Sequence, residues 1–199
     1  MFLLLETIRI EDGNPKYLNF HQERVDRTWI EAGIAGKPFL LEMSMDIPGE
    51  YRKGTVQCTI EYGETIREIR FRLYERKQIR TLKLVEDNTI DYHFKFLDRS
   101  RIDRLIAASR TDSDIIIIRN GIVTDSSTAN LIFFTGSEWH TPDAPLLRGT
   151  TRERLLKEGL VKEIKIRSGD VVNYEGCKLI NAMRYPEEQE LIPARNISF

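Results

Sequence analysis

The sequence predicts an α+β protein in which antiparallel strands predominate and helices are interspersed. Several segments alternate apolar and polar residues with the period of two that a half-buried strand requires. Other segments show helical spacing and end at a glycine. The regular strand–helix alternation of a doubly wound parallel sheet is missing, and so is a glycine-rich nucleotide loop.

The composition is that of a folded protein with no general attraction to polyanions. Hydrophobic residues make up 41% of the 199 residues and charged residues 31%, which is too apolar for a disordered chain. Lys and Arg number 30 against 31 Asp and Glu, so the formal net charge is −1. We therefore expect neither nucleic acid nor an anionic membrane as a partner.

The sequence also favours a reducing, cytoplasmic compartment. No apolar run approaches the ~20 residues that span a bilayer, and the apolar start meets Glu6 and Arg9 too early for a signal peptide. Two cysteines, Cys58 and Cys177, are few for a disulfide scaffold in a chain this long. Neither they nor the three histidines have the spacing of metal ligands, so we expect no metal site.

The first part of the chain predicts a strand, a helix and a hairpin. Residues 1–10 form the strand. The helix begins with Asn19 as N-cap and Gln22 at the third helical position, and it stops at Gly33. Two alternating segments then flank a turn and a further strand follows, over residues 54–62, 66–76 and 80–85, with Gly63 in the turn.

A polar stretch, Glu86-Asp87-Asn88, is the best candidate for a linker. We therefore predict a small mixed domain over residues 1–86. A larger, mostly antiparallel β domain with helices follows over residues 87–199.

The second part of the chain begins with strict alternation over residues 91–96, which predicts a strand. Residues 99–110 look helical, with Ile102, Leu105 and Ile106 on one face. An Asn-Gly pair between two apolar runs then predicts a tight hairpin. The remaining signals are a strand at 131–134, a helix with Thr150 and Glu153 at capping-box spacing that closes at Gly159, and strands near 162–166 and 177–182.

Lys95 stands in the middle of the aromatic segment, opposite the face that Tyr92, Phe94 and Phe96 share. A lysine that alternates with aromatic residues usually faces solvent on a half-buried sheet. The functional alternative is a partly desolvated and partly neutral amine, which can form a Schiff base with an aldehyde.

Two other segments carry polar groups between apolar ones. Residues 124–130 contain hydroxyl, carboxylate and amide side chains; they form either an ordinary loop or a carboxylate presented to a polar ligand. The segment Leu147-Arg148-Gly149-Thr150-Thr151-Arg152 opens the predicted helix. It is either a capped helix or an anion site made of free backbone N–H groups.

Six motifs occur in order along nearly the whole chain: Glu6-Thr7-Ile8-Arg9, His21-Gln22-Glu23-Arg24, Lys95-Phe96-Leu97-Asp98-Arg99, residues 121–131, Thr141-Pro142 with residues 147–152, and Asn181-Ala182-Met183. Together they resemble the class IV aminotransferases, the fold-type IV family of pyridoxal 5′-phosphate (PLP) enzymes. The resemblance implies the two-domain fold of D-amino acid aminotransferase. It also implies PLP as cofactor.

The resemblance assigns roles to individual residues. Lys95 would form the internal aldimine with PLP and then shuttle the proton at the substrate α-carbon. Asp125 would pair with the protonated pyridine nitrogen, and Arg24 would bind the phosphate. The cofactor contacts would be completed by the hydroxyl of Thr151, the N–H groups of Thr150 and Thr151, and the neighbouring Thr128 and Ala129.

Two departures from the family pattern bear on the substrate. The family usually has Glu where this chain has Asp125, which reaches one methylene less but keeps the charge. Branched-chain aminotransferases carry Tyr five residues after the lysine, where this chain has Ser100. That absence and the Asn181-Ala182-Met183 motif favour a similarity to aminodeoxychorismate lyase, which eliminates pyruvate from aminodeoxychorismate to give p-aminobenzoate for folate synthesis.

Alternatives within the resemblance stay open at this point. An amino acid transaminase, of the D-amino acid or branched-chain type, would use the same lysine and cofactor. A PLP-binding or cofactor-free protein without turnover is a third reading. Family members usually complete the site across a homodimer, so we expect a dimer acting on a small amino substrate. The candidate substrate residues are Thr7, Arg9, Arg148, Asn181 and Arg184.

Overall fold

The computed structural model describes residues 2–107 and 111–199. The last part of the helix predicted over 99–110 lies outside the described residues. The chain divides into two compact units. Unit 1 comprises the described residues up to Arg76 together with Phe94–Asp98, and unit 2 comprises Lys77–His93 and the described residues from Arg99 onward.

Unit 1 is an antiparallel sheet with two helices. Its strands lie in the order β2-β1-β3-β4. The elements are β1 (Leu4–Glu11), β2 (Asn14–Pro15), α1 (Leu18–Glu31), α2 (Leu41–Ser44), β3 (Thr55–Tyr62) and β4 (Ile66–Leu73). The predicted first strand and the hairpin around Gly63 are confirmed.

The core of unit 1 follows from strand alternation. Leu4, Ile8 and Ile10 alternate along β1, are fully buried, and lie in one hydrophobic cluster with Val25 and Trp29 of α1. Glu6 occupies the same inward row and is also fully buried. The apolar row therefore encloses one carboxylate, which must find partners inside the unit.

The start of α1 differs from the prediction. Its N-cap is Tyr17, in the left-handed region at φ 51°, and Asn19 lies inside the helix. The Lys16 N–H donates to the Arg9 carbonyl at 2.8 Å, so pairing with β1 continues up to the residue before the cap. The predicted end is confirmed, because α1 stops at Glu31 and Gly33 follows at φ 65°.

Unit 2 contains two sheets, with strand orders β10-β9-β8-β11-β12 and β13-β5-β6-β7. Antiparallel pairs outnumber parallel ones among the described strands, as predicted. The elements are β5 (Thr81–Glu86), α3 (Ser100–Ile106), β6 (Ser113–Arg119), β7 (Ile122–Ser126), β8 (Asn130–Phe134), β9 (Trp139–Pro142), α4 (Thr150–Lys157), β10 (Lys162–Ile164), β11 (Gly176–Ile180), β12 (Ile192–Pro193) and β13 (Ile197–Ser198).

One hydrophobic cluster joins the two sheets of unit 2. Ile116 of β6 and Phe133 of β8 are fully buried in it, together with Cys177 of β11. The predicted Asn-Gly hairpin connects β6 to β7, with Asn120 at φ 53° and Gly121 at φ 75°. Positive φ at both central residues is the geometry that matches the twist of paired strands, so this prediction is confirmed.

The predicted strand over residues 91–96 is wrong. The Phe96 N–H donates to the Phe94 carbonyl at 2.9 Å, and this tight turn interrupts the extended backbone. Phe94–Asp98 instead lies beside β1 within unit 1, where the Leu5 N–H donates to the Lys95 carbonyl at 2.8 Å. The expected packing of Phe94 does occur, because its ring is buried and contacts Phe96 edge-on.

The segment predicted as a linker is hydrogen-bonded within unit 2. The Asp87 N–H donates to the Ile118 carbonyl at 2.9 Å, and the Asn88 side chain accepts the Asn120 N–H at 2.6 Å. Because β5 pairs with β6, the division between the units falls after Arg76, ahead of the boundary predicted after residue 86. Among the described residues, no helix is both long and apolar enough to cross a membrane.

Candidate active site

Glu6 is the centre of a buried ionic cluster in unit 1. Its Oε1 accepts from Arg24 Nε at 2.7 Å and its Oε2 from Arg24 Nη2 at 2.6 Å, which makes a two-pronged ion pair. His21 Nδ1 lies 2.7 Å from Glu6 Oε2. Strand β1 supplies the carboxylate, and α1 supplies His21 and Arg24, which lie three residues apart on one helix face.

The cluster has a definite charge state at neutral pH. Burial alone would raise the pKa of Glu6, but the Arg24 charge and the hydrogen bonds from His21 and Arg24 lower it to about 2. Burial lowers the pKa of His21, and the positive charges of Arg24 and Lys95 add to that effect. Glu6 is therefore ionised and His21 neutral, so the His21 Nδ1–H donates to the carboxylate.

Lys95 lies within electrostatic reach of this cluster. It is half-buried, and its charge is one cause of the lowered His21 pKa. Its main chain is held to β1 by the Leu5 N–H. Unit 1 therefore contains two of the predicted cofactor residues: Arg24, which contacts Glu6 directly, and Lys95, whose charge acts on His21.

The predicted substrate residues of β1 lie elsewhere. Alternation along the strand puts Thr7 and Arg9 on the face opposite Glu6. Arg9 pairs with Glu11 of the same face at 2.7 Å. Unit 1 therefore does not bring these two residues together with Arg24.

Asp125 is the corresponding buried acid of unit 2. It is the next-to-last residue of β7, and both of its oxygens accept hydrogen bonds. Asn130 Nδ2 donates to Oδ1 at 2.7 Å and the Leu147 N–H donates to Oδ2 at 2.9 Å. Burial raises the pKa of Asp125 to about 6, although these bonds, the Arg152 charge and the Leu146 N–H all lower it. The neutral donors therefore do not fully compensate its charge.

The helix that follows this contact begins at Thr150. Its N-cap is Gly149 and no side chain caps it, so the predicted capping box of Thr150 and Glu153 is wrong. A Cβ on Gly149 would lie 2.0 Å from Asn130 Oδ1, so the close approach of that amide explains the glycine. Thr150 and Thr151 are both buried in the first turn, where backbone N–H groups point out of the helix.

Arg152 ties this helix start to the neighbouring strands. Its Nη2 donates to the Pro142 carbonyl at 2.9 Å and contacts Glu163, and its Nη1 pairs with Glu153 at 2.9 Å. The side chain is 2% exposed. The first turn of α4 is therefore anchored to the end of β9 and to β10.

Four of the remaining predicted residues of unit 2, Thr128, Ala129, Asn181 and Arg184, are linked at a tight turn between β7 and β8. Ala129 is buried there, and its carbonyl accepts the Ser126 N–H at 2.8 Å. Thr128 is exposed, and its carbonyl accepts from Asn181 Nδ2 at 3.1 Å. Arg184 pairs by its backbone with Asn181, and its Nη2 donates to the Lys77 carbonyl at 2.8 Å. The side chain of Arg148 is exposed.

Two residues that hold predicted cofactor residues, Glu6 and Asn130, stand inside the quoted motifs, but the sequence assigns them no role. A charged residue in the inward row of β1 was a readable signal for Glu6. Asn130 belongs to the polar segment 124–130, but nothing in the sequence shows which group its amide contacts. The described residues contain no group of three or more His, Cys, Asp or Glu side chains that could hold a metal ion.

Replacing Glu6 with Ala would leave the Arg24 charge buried without its carboxylate. We expect the free energy of unfolding to fall by about 3–5 kcal/mol, measured by urea denaturation. The matched control is Glu68→Ala, which removes an exposed ion pair with Arg70 in the same unit and should cost under about 1 kcal/mol. Equal losses in the two variants would contradict the account of the buried cluster.

Replacing Asp125 with Asn should change how stability depends on pH. The folded carboxyl keeps its proton up to a pKa of about 6, against 3.8 in the unfolded chain. Folding therefore favours the protonated acid, and this group's contribution to stability is lost as pH rises through that interval, by about 3 kcal/mol in all. The difference in unfolding free energy between wild type and variant should change between pH 4 and 6 and be constant above. Parallel curves over that range would show that the carboxyl has an ordinary pKa.

Comparison with known proteins agrees with this architecture. A model of the amino-transferase class IV family matches residues 65–197. An uncharacterized protein from Haemophilus influenzae is 41% identical over 185 residues, which cover 92% of this chain and 98% of that protein. The crystal structure of a candidate 4-amino-4-deoxychorismate lyase from Haemophilus somnus 129pt is 36% identical with a TM-score of 0.84, covering 92% of this chain and 97% of that one.

A more distant structure shows the fold alone. It is the PLP-bound form of a hypothetical aminotransferase from Mycobacterium tuberculosis, 16% identical with a TM-score of 0.76, covering 92% of this chain and 78% of that one. The family model spans more than half of this chain, and the six motifs of the sequence resemble the same family. The chain belongs to the amino-transferase class IV family.

Proposed function

We propose that this protein is a PLP-dependent enzyme and that its reaction is the elimination of pyruvate from aminodeoxychorismate, which yields p-aminobenzoate. The observation that carries this choice is the 36% identity to the candidate lyase from Haemophilus somnus, over 97% of that chain. The expected setting is folate synthesis in the cytoplasm. The family itself supports PLP chemistry, since class IV aminotransferases are PLP enzymes.

The residues present fit PLP chemically. Unit 1 offers an amine on Lys95 and a guanidinium on Arg24, and Glu6 fixes the orientation of that guanidinium. Unit 2 offers a buried carboxylate, Asp125, which accepts from neutral donors and whose pKa is raised by burial. A carboxylate has about four acceptor positions, so Asp125 can accept another hydrogen bond from a cationic donor such as a protonated pyridine nitrogen.

When bound, PLP supplies an electron sink for the electrons released at the substrate α-carbon. Lys95 would hold the cofactor covalently and carry the proton to and from that carbon. Asp125 would accept the ring N–H and keep the ring cationic. Arg24, the Thr151 hydroxyl and the N–H groups of Thr150 and Thr151 would bind the phosphate.

The substrate residues follow from the chemistry of a dicarboxylate. Arg9, Arg148 and Arg184 are the proposed partners of the substrate carboxylates, with Thr7 and Asn181 as hydrogen-bonding neighbours. Thr128 and Ala129 would lie next to the cofactor.

We also propose a homodimer, which a mass measurement in solution by light scattering would test; a monomer with full turnover would refute it.

A second candidate is an amino acid transaminase, which the description of the family itself favours. Both reactions begin with the same proton transfer by Lys95. They separate afterwards, since the lyase releases pyruvate without a second substrate whereas the transaminase needs a 2-oxo acid to accept the amino group. This difference makes the two candidates distinguishable in one assay.

Lys95→Ala should abolish covalent cofactor attachment and lower turnover at least ~100-fold. The test incubates the protein with PLP, reduces it with borohydride, and locates the pyridoxyl group by peptide mass. The matched control is Lys83→Ala, at an exposed position of β5, which should behave like wild type. Labelling that persists in Lys95→Ala, or none in wild type, would overturn the PLP assignment.

The reaction is then tested with aminodeoxychorismate. We expect p-aminobenzoate and pyruvate in equal amounts with no 2-oxo acid added. Turnover that requires a 2-oxo acid would contradict the lyase and establish the transaminase. A PLP-labelled protein inactive in both assays would be a cofactor-binding protein without turnover.

A further inference from the structure

We propose that Asn130 is a positioning residue for the cofactor site: its amide joins the Asp125 carboxylate to the segment that leads into α4, and so fixes the ring-nitrogen partner relative to the phosphate-binding helix start. This inference rests on the function proposed above. It adds a residue that touches neither the cofactor nor the substrate in that proposal. All the groups involved belong to unit 2.

The geometry is a closed set of hydrogen bonds. Asn130 Nδ2 donates to Asp125 Oδ1 at 2.7 Å and to the Leu147 carbonyl at 2.8 Å. The Leu147 N–H donates back to Asp125 Oδ2 at 2.9 Å. Both N–H groups of one amide are therefore used to hold two different elements, the end of β7 and the segment before α4.

The other end of the same amide lies against the cap of α4. A Cβ on Gly149 would lie only 2.0 Å from Asn130 Oδ1, which is too close for any side chain at this position. Gly149 is the N-cap of α4, and Thr150 and Thr151 follow it directly. One buried side chain, 6% exposed, therefore contacts both the acid and the residue that begins the helix.

The chemistry of an amide suits this place. An amide donates hydrogen bonds without carrying charge, so it orients Asp125 without supplying the cation that would compensate it. An arginine or lysine at position 130 would pair with the Asp125 carboxylate and lower its pKa more than a neutral amide does. Asn130 leaves that compensation to a ligand, which is what a partner for a pyridinium nitrogen needs.

The test measures the affinity of cofactor-free protein for PLP by equilibrium fluorescence titration between pH 5.5 and 8. Asn130→Ala removes both donors and should weaken PLP binding by about 10–100-fold, the usual effect of a lost hydrogen bond to a charged group. Asn130→Asp keeps the shape, and while protonated it can still donate one of the two bonds. The loss of PLP affinity in this variant should therefore be small at low pH and grow as the introduced carboxyl ionises.

Thr141→Val is the matched control. It removes one buried hydrogen bond, from Thr141 Oγ1 to the Leu131 carbonyl at 2.9 Å, beside Asn130 in the same sheet. It should lower the melting temperature but change PLP affinity less than about twofold. If Asn130→Ala does not fold, the pH dependence of Asn130→Asp decides the question alone.

The outcomes separate this inference from the proposed function. Wild type that does not bind PLP overturns both. If wild type binds PLP and Asn130→Ala binds it with equal affinity, only the role of Asn130 is overturned. The same conclusion follows if Thr141→Val loses as much affinity as Asn130→Ala, or if the Asn130→Asp defect is independent of pH.

Discussion

A carboxylate taken out of water must be compensated, and this protein compensates two of them in different ways. Glu6 receives a cation, the two-pronged guanidinium of Arg24, and its pKa falls to about 2. Asp125 receives neutral donors from Asn130 and the main chain, which only partly offset burial, so its pKa is raised to about 6. The first acid is satisfied within its own unit. The second retains the capacity to accept a cationic donor, and the proposed chemistry depends on that difference.

Local signals predicted most elements of the fold, because they are decided by neighbouring residues. The Asn120-Gly121 turn and the stop at Gly33 depend on backbone conformations that those residues favour. Two wrong predictions have a common cause, which is hydrogen bonding of the chain to β1. Asn19 was a good cap by sequence, but pairing of Lys16 with Arg9 fixed the helix start two residues earlier. The aromatic alternation around Lys95 was real, yet a tight turn and docking on β1 replaced the strand.

The candidate site was predictable only in part. Lys95, Arg24, Asp125 and the Thr150-Thr151 pair were identified through a family resemblance rather than through their physical environment. The residues that hold them were missed, because a hydrogen bond between distant segments leaves no periodic trace. Glu6 meets Arg24 across 18 residues of sequence, and Asn130 meets Leu147 across 17. The readable signs were indirect, such as a glycine where a neighbouring amide leaves no room for a Cβ.

The account depends most on Asp125 as the partner of a cation that the cofactor brings. A ¹³C NMR titration of aspartate-labelled protein measures this directly, with the resonance assigned by its loss in Asp125→Asn. The account predicts a pKa of about 6 for Asp125 in the cofactor-free protein and a large fall when PLP is bound, because a pyridinium nitrogen stabilises the ionised acid. A pKa that stays the same on PLP binding would contradict it.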